Sequence, residues 1–199
     1  MNSIQSEIAA AAAVCVVEEG LEYGPAKRRA LKNLRLPPRT ALPDNVAVEH
    51  AVREHIALFC ADTQPGELRA LRELALVWME RLADFEPLLG GAVWQGTATR
   101  LSDVYLQLFS DDPKAVEWWL INRQQPYEAA QAKGLQGHAV DVLSLQTRPE
   151  GLQNWVGLHL LVNPTQAQRG ALLPDAQGRR PRGGAAALRN LLETTPSLS

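Results

Sequence analysis

The hydrophobic periodicity of this chain changes at Pro87, and that break limits the folds open to it. Before it, apolar residues recur at helical spacing. After it, they form short continuous runs of strand length. A helical lobe over residues 1–87 followed by a mixed-sheet domain with covering helices over residues 88–199 is the organisation this predicts, an α+β fold.

Within the first part, an alanine-rich helix is predicted over 3–19 and ends at Gly20, which suits the left-handed position past a helix end. A short basic helix over 25–34 opens with Pro25 and carries Lys27, Arg28, Arg29 and Lys32. The three prolines at 37, 38 and 43 then mark a linker. Asp44 is placed to cap a helix whose Val48, Val52, Ile56 and Phe59 share one face. A further helix opens at Pro65, with Glu67 near its positive end and Leu68, Leu71, Ala75, Trp78, Leu82 and Phe85 on its apolar stripe.

In the second part, strands are predicted over 88–94, 104–109, 139–145 and 155–162. A helix opening at Asp112 and Pro113 carries Val116, Trp119 and Leu120 inward. Adjacent Trp118 and Trp119 cannot both face the sheet, so one is expected at the surface or in a homodimer contact. A Gly/Pro/Arg-rich loop over 174–184 leads to a helix over 185–193, and residues 194–199 are expected to fray.

Charge and length exclude several classes. Twenty basic residues against 22 acidic ones give a net charge of -2, which argues against a protein that lives by wrapping duplex nucleic acid. The apolar run from Ile8 to Val17 is too short to span a bilayer, and no Lys or Arg precedes it as in a secretory leader. No membrane association and a cytoplasmic location are expected. The two cysteines, Cys15 and Cys60, have no partner at metal-ligand spacing and read as small buried hydrophobes. His50 and His55, five apart on a helix, do not make a zinc pair, and His50 with Glu54 reads as a surface contact. No Ser/His/Asp arrangement is evident from spacing, nor a CxxC pair, a Walker loop or a long dinucleotide fingerprint.

The stretch from Gly96 to Phe109 carries the chemistry: Gly96-Thr97, then Arg100, then Ser102-Asp103 opening a hydrophobic strand. It resembles the nucleotidyltransferase superfamily, the fold of polymerase-beta-like enzymes and the small bacterial nucleotidyltransferases. In that family a Gly-Ser turn cradles phosphate, an Asp-x-Asp pair holds two Mg²⁺ ions, and a later strand supplies a third carboxylate. The resemblance implies a nucleoside triphosphate ligand and Mg²⁺. It assigns Gly96, Thr97, Arg100, Ser102 and Tyr105 to nucleotide binding, and Asp103 and Asp141 to catalysis and to the metal.

Strand periodicity places Asp103, Tyr105, Gln107 and Phe109 on one face, with Val104, Leu106 and Leu108 on the core face. Tyr105 stands where the family's second carboxylate belongs, and a phenol does not replace a carboxylate as a ligand for a hard cation. Three outcomes follow: a single-metal enzyme using Asp103 and Asp141, a nucleotide binder without turnover, or a fold kept as an interaction or regulatory module. Asp141 has two readings, a metal or base position facing Asp103, or a carboxylate satisfied by Arg100, Arg123 or backbone N–H groups. His159, on one strand face with Trp155, either lines the same pocket or is a satisfied core histidine.

Overall fold

The computed structural model describes residues 3–175 and 177–194; the expected fraying beyond residue 194 lies outside them. Three helices, α1 (Ser3–Glu19), α2 (Tyr23–Asn33) and α3 (Asn45–Phe59), close around Ile8, Ala12, Ala13, Ala26, Ala30, Val48 and Val52. The alanines let the helix backbones approach closely, which is why so little side-chain volume makes a core. Asp44 caps α3 as expected, its carboxylate accepting the Ala47 N–H at 2.8 Å.

The fourth helix, α4 (Gln64–Arg81), belongs to a different core. Its Leu68, Leu71, Ala75 and Trp78 pack with Leu89, Val104, Leu106, Leu158 and Leu160 of the sheet. The apolar stripe of α4 thus meets strands rather than α1–α3.

Six strands form one mixed sheet: β1 (Leu88–Gly90), β2 (Val104–Phe109), β3 (Glu128–Lys133), β4 (Ala139–Thr147), β5 (Val156–Asn163) and β6 (Arg182–Gly183), in the order β3-β4-β5-β2-β1-β6. The β2–β5 pair is parallel and every other pair antiparallel. Helices α5 (Gly91–Gln95), α6 (Ala115–Asn122) and α7 (Ala185–Thr194) complete the α+β architecture. Leu188 of α7 and Val116 and Leu120 of α6 join α4 over one sheet face. Trp119 packs against Trp78 while Trp118 is 59% exposed, the split expected for adjacent positions on a helix.

One local expectation is corrected. Residues 88–94 are not one strand: the chain leaves β1 at Gly90, takes a left-handed turn at Gly91 (φ +67°) and enters α5. Glu128–Lys133, composed mostly of helix formers, is an exposed edge strand, because the backbone of β4 supplies its partners whatever its side chains prefer. None of the helices among the described residues is long and apolar enough to cross a membrane.

Candidate functional site

The short helix α5 and the loop after it are fixed by two buried polar side chains of α4. Gln64 donates to the carbonyls of Gly96 and Ala98 at 3.2 and 2.8 Å, and Arg72 donates to those of Val93 and Trp94 at 3.1 and 3.3 Å. Both donors are 6% exposed, so each is satisfied by carbonyls that α5 would otherwise leave unpaired at its end. Burial pulls the Arg72 guanidinium below its usual range. This bracing sets where β2 begins, and hence where Asp103 stands.

Asp103 lies on the sheet face opposite the α4 core. Its Oδ1 accepts the Gly157 N–H at 2.8 Å, and its Oδ2 lies 3.2 Å from His159 Nε2. The other ring nitrogen, His159 Nδ1, is 2.8 Å from Ser144 Oγ, and the Tyr105 ring stacks on the imidazole with centroids 4.7 Å apart. The register explains this: Tyr105, His159 and Ser144 are direct neighbours across β2, β5 and β4. Burial works to raise the Asp103 carboxyl, but the hydrogen bonds from His159 and Gly157 outweigh it and hold the group below the usual carboxylate range.

A Ser–His–Asp relay is thus assembled from β4, β5 and the residue that precedes β2, which the spacing did not reveal. It lacks what a hydrolase needs. Ser144 sits in the middle of β4, paired on both edges, so the neighbouring backbone N–H groups are used by the sheet and cannot form an oxyanion hole.

Beside the relay, a cleft of about 480 Å³ separates the helical lobe from the sheet. Glu22, Tyr23 and Glu49 line the lobe side, and Gly91, Ser102, Asp103, Tyr105 and Arg182 the sheet side. Burial first, then Glu22 and Asp103, push the Tyr105 phenol far above its usual range, so it is a neutral hydroxyl facing the Glu22 carboxylate. Glu49 accepts from Arg53 at 2.8 Å and from Arg179 at 2.9 Å, which ties the Gly/Pro/Arg-rich loop across to α3. Burial pulls Arg182 below its usual range.

The residues expected in the site divide accordingly. Asp103, Tyr105 and Ser102 meet at the cleft. Gly96 and Thr97 do not: Gly96 (φ +84°) ends α5 against Arg72, and Thr97 is 2% exposed. The glycine turn that does face the cleft is Gly90-Gly91, and the apolar pair Leu88-Leu89 running directly into two glycines was its signal in the sequence. Arg100 turns away, its backbone N–H donating to Glu67 at 2.8 Å and its side chain lying beside the same carboxylate.

Asp141 is not brought beside Asp103. It pairs with Val162, which pairs in turn with Leu108, whereas Asp103 lies beside Gly157 at the other end of the sheet. Strand alternation also puts Asp141 on the core side and Asp103 on the opposite side. Its partner is Gln131, whose Nε2 donates at 3.4 Å, and not Asp103, Arg100 or Arg123. No signal in the sequence marked Glu22, Tyr23 or Glu49, which come from a lobe packed across a gap.

These donors do not fit Mg²⁺. Both oxygens of Asp103 are engaged, Tyr105 is protonated, and the residue level with it on β5 is His159 rather than a carboxylate. No group of three or more His, Cys, Asp or Glu among the described residues could hold a metal ion. Hard divalent cations need several oxygen ligands, and both oxygens of Asp103 are already committed to Gly157 and His159.

No family model and no curated protein matches the chain. Among solved structures it is similar to Cid1, described as having RNA terminal uridylyl transferase activity, at 19% identity and a TM-score of 0.33. That likeness covers 56% of this chain and 34% of the other, so the chain spans about a third of its length.

Proposed function

We propose that this protein is a nucleotidyltransferase-like mononucleotide binder that has lost metal-dependent transfer. One observation carries the reading: Asp103, the acid that the resemblance assigns to the metal, is engaged by Gly157 and His159, and Tyr105 fills the second acid's place. The cleft lies in the size range of small-ligand sites. In it the Gly91 turn and Arg182 face the phosphates, Tyr23 and Tyr105 offer aromatic surface, and the Glu22 carboxylate accepts from a base amino group.

A thermal-shift panel of the four ribonucleoside triphosphates, with Mg²⁺ and with EDTA, tests this. At a ligand concentration about 100-fold above Kd, a rise of roughly 5–10 °C is expected that EDTA leaves unchanged. A rise that requires Mg²⁺ overturns the loss of the metal. A flat panel overturns nucleotide binding and favours the second reading, an interaction or regulatory module, for which Leu58 and Phe59 on the helical lobe, 75% and 72% exposed, are the supporting observation.

A further inference from the structure

On the sheet face away from the cleft, the C-terminal ends of α4 and α6 enclose a second cavity of about 320 Å³, lined by Trp78, Arg81, Trp119, Arg123 and Gln125. The Arg123 guanidinium lies 3.9 Å from the centroid of the Trp119 ring and that of Arg81 lies 5.3 Å from Trp78, while the two indoles are 6.5 Å apart. A guanidinium set over an aromatic ring through its flat face keeps its N–H edge available for a planar or tetrahedral anion.

Neither arginine has a carboxylate partner among the described residues, and the hydrogen bond of Arg123 to the Trp119 carbonyl is long at 3.5 Å. Elsewhere Arg53 and Arg179 pair with Glu49, Arg69 with Glu73 and Arg189 with Glu80. A cation at a helix C-terminus complements the dipole, which accounts for each arginine singly. It does not account for two of them sharing one cavity whose lining offers hydrogen-bond donors and no acidic group.

We infer that this cavity is a binding site for a phosphate dianion, held between the Arg81 and Arg123 guanidiniums with the Gln125 carboxamide beside them. Two unopposed cations favour a dianion over a carboxylate, and the guanidinium forks suit paired phosphate oxygens. The phosphate is either free or the terminal group of a small phosphate monoester. This site is independent of the nucleotide reading of the cleft.

The test uses the full chain, with inorganic phosphate, ribose 5-phosphate and ribose as probes against chloride of equal ionic strength. Tryptophan emission and melting temperature are read together. At about ten times Kd a rise of roughly 3 °C and a change in emission are expected with phosphate. Both are lost in Arg81→Gln/Arg123→Gln, whose exposed sites leave the fold intact by circular dichroism. A stronger response to ribose 5-phosphate than to phosphate assigns the site to a monoester, and the reverse assigns it to the free ion. No response to either beyond chloride, or an undiminished response in the double arginine variant, overturns the inference.

Discussion

The Gly157 N–H and the Asp103 carboxylate meet at 2.8 Å, and a Cβ placed on Gly157 would stand 2.7 Å from the same carboxylate oxygen. Glycine at 157 and aspartate at 103 are therefore one structural unit. Gly157→Ala forces the carboxylate out of its hydrogen bonds and is expected to lower stability by about 1–3 kcal/mol. In a double-mutant cycle with Asp103→Ala the two losses should be strongly non-additive in urea denaturation. Simple additivity would mean that the contact does not hold the strands together.

The pH dependence of stability has a definite sign. The folded Asp103 carboxyl is held below the unfolded value, near about 3.9, so its contribution is complete above that pH and is lost as pH falls through the lower, folded value. Melting curves between pH 5 and 2 should show a shallower acid loss in Asp103→Asn than in the unmodified protein. Equal slopes would sink the assignment of this acid sensitivity to Asp103.

Tyr105→Asp puts a second carboxylate two residues after Asp103 on the same strand face, level with His159. The unmodified protein should show no Mg²⁺-dependent change in melting temperature. The variant should gain one at millimolar Mg²⁺, because the missing oxygen ligands are supplied and Asp103 can reorient toward them. A variant that folds yet ignores Mg²⁺ would show that a carboxylate at 105 is not enough to build a cation site beside Asp103.

The loop that carries Arg179 is held at two points. Arg179 donates to Glu49 at 2.9 Å, and the Trp94 indole N–H donates to the Arg180 carbonyl at 2.8 Å, with Gly183 packed where any Cβ would overlap the Trp94 ring. Glu49→Ala is expected to speed tryptic cleavage at Arg179 and Arg180 several-fold with little change in the global midpoint, since it frees one local contact. Gly183→Ala is expected to do both, costing about 1–3 kcal/mol by overpacking. Unchanged cleavage in both variants would show that the loop is anchored elsewhere.

At the start of α3, Asp44→Ala removes the acceptor for the Ala47 N–H. A loss of about 1 kcal/mol is expected, read as a lower urea midpoint with an unchanged slope. A midpoint that does not move would mean that water replaces the cap at no cost.

The amino-acid sequence by itself determined the element types with strong periodicity. The four N-terminal helices, the Asp44 cap, and the alternation that turns Val104, Leu106 and Leu108 inward and Asp103 and Tyr105 outward all follow from spacing, because 3.6- and 2-residue periods are local properties of the backbone. Tertiary structure decided everything that depends on which strand lies beside which. The β4–β5–β2 register joins Ser144 and His159 to Asp103 and sends Asp141 to the far end and other face of the sheet. Pairing with β4 makes a strand of Glu128–Lys133 against its helical preference. The cleft takes Glu22 and Glu49 from a lobe with its own separate core. Such contacts join residues far apart in the chain, and side-chain pattern constrains a strand's faces but not its neighbours.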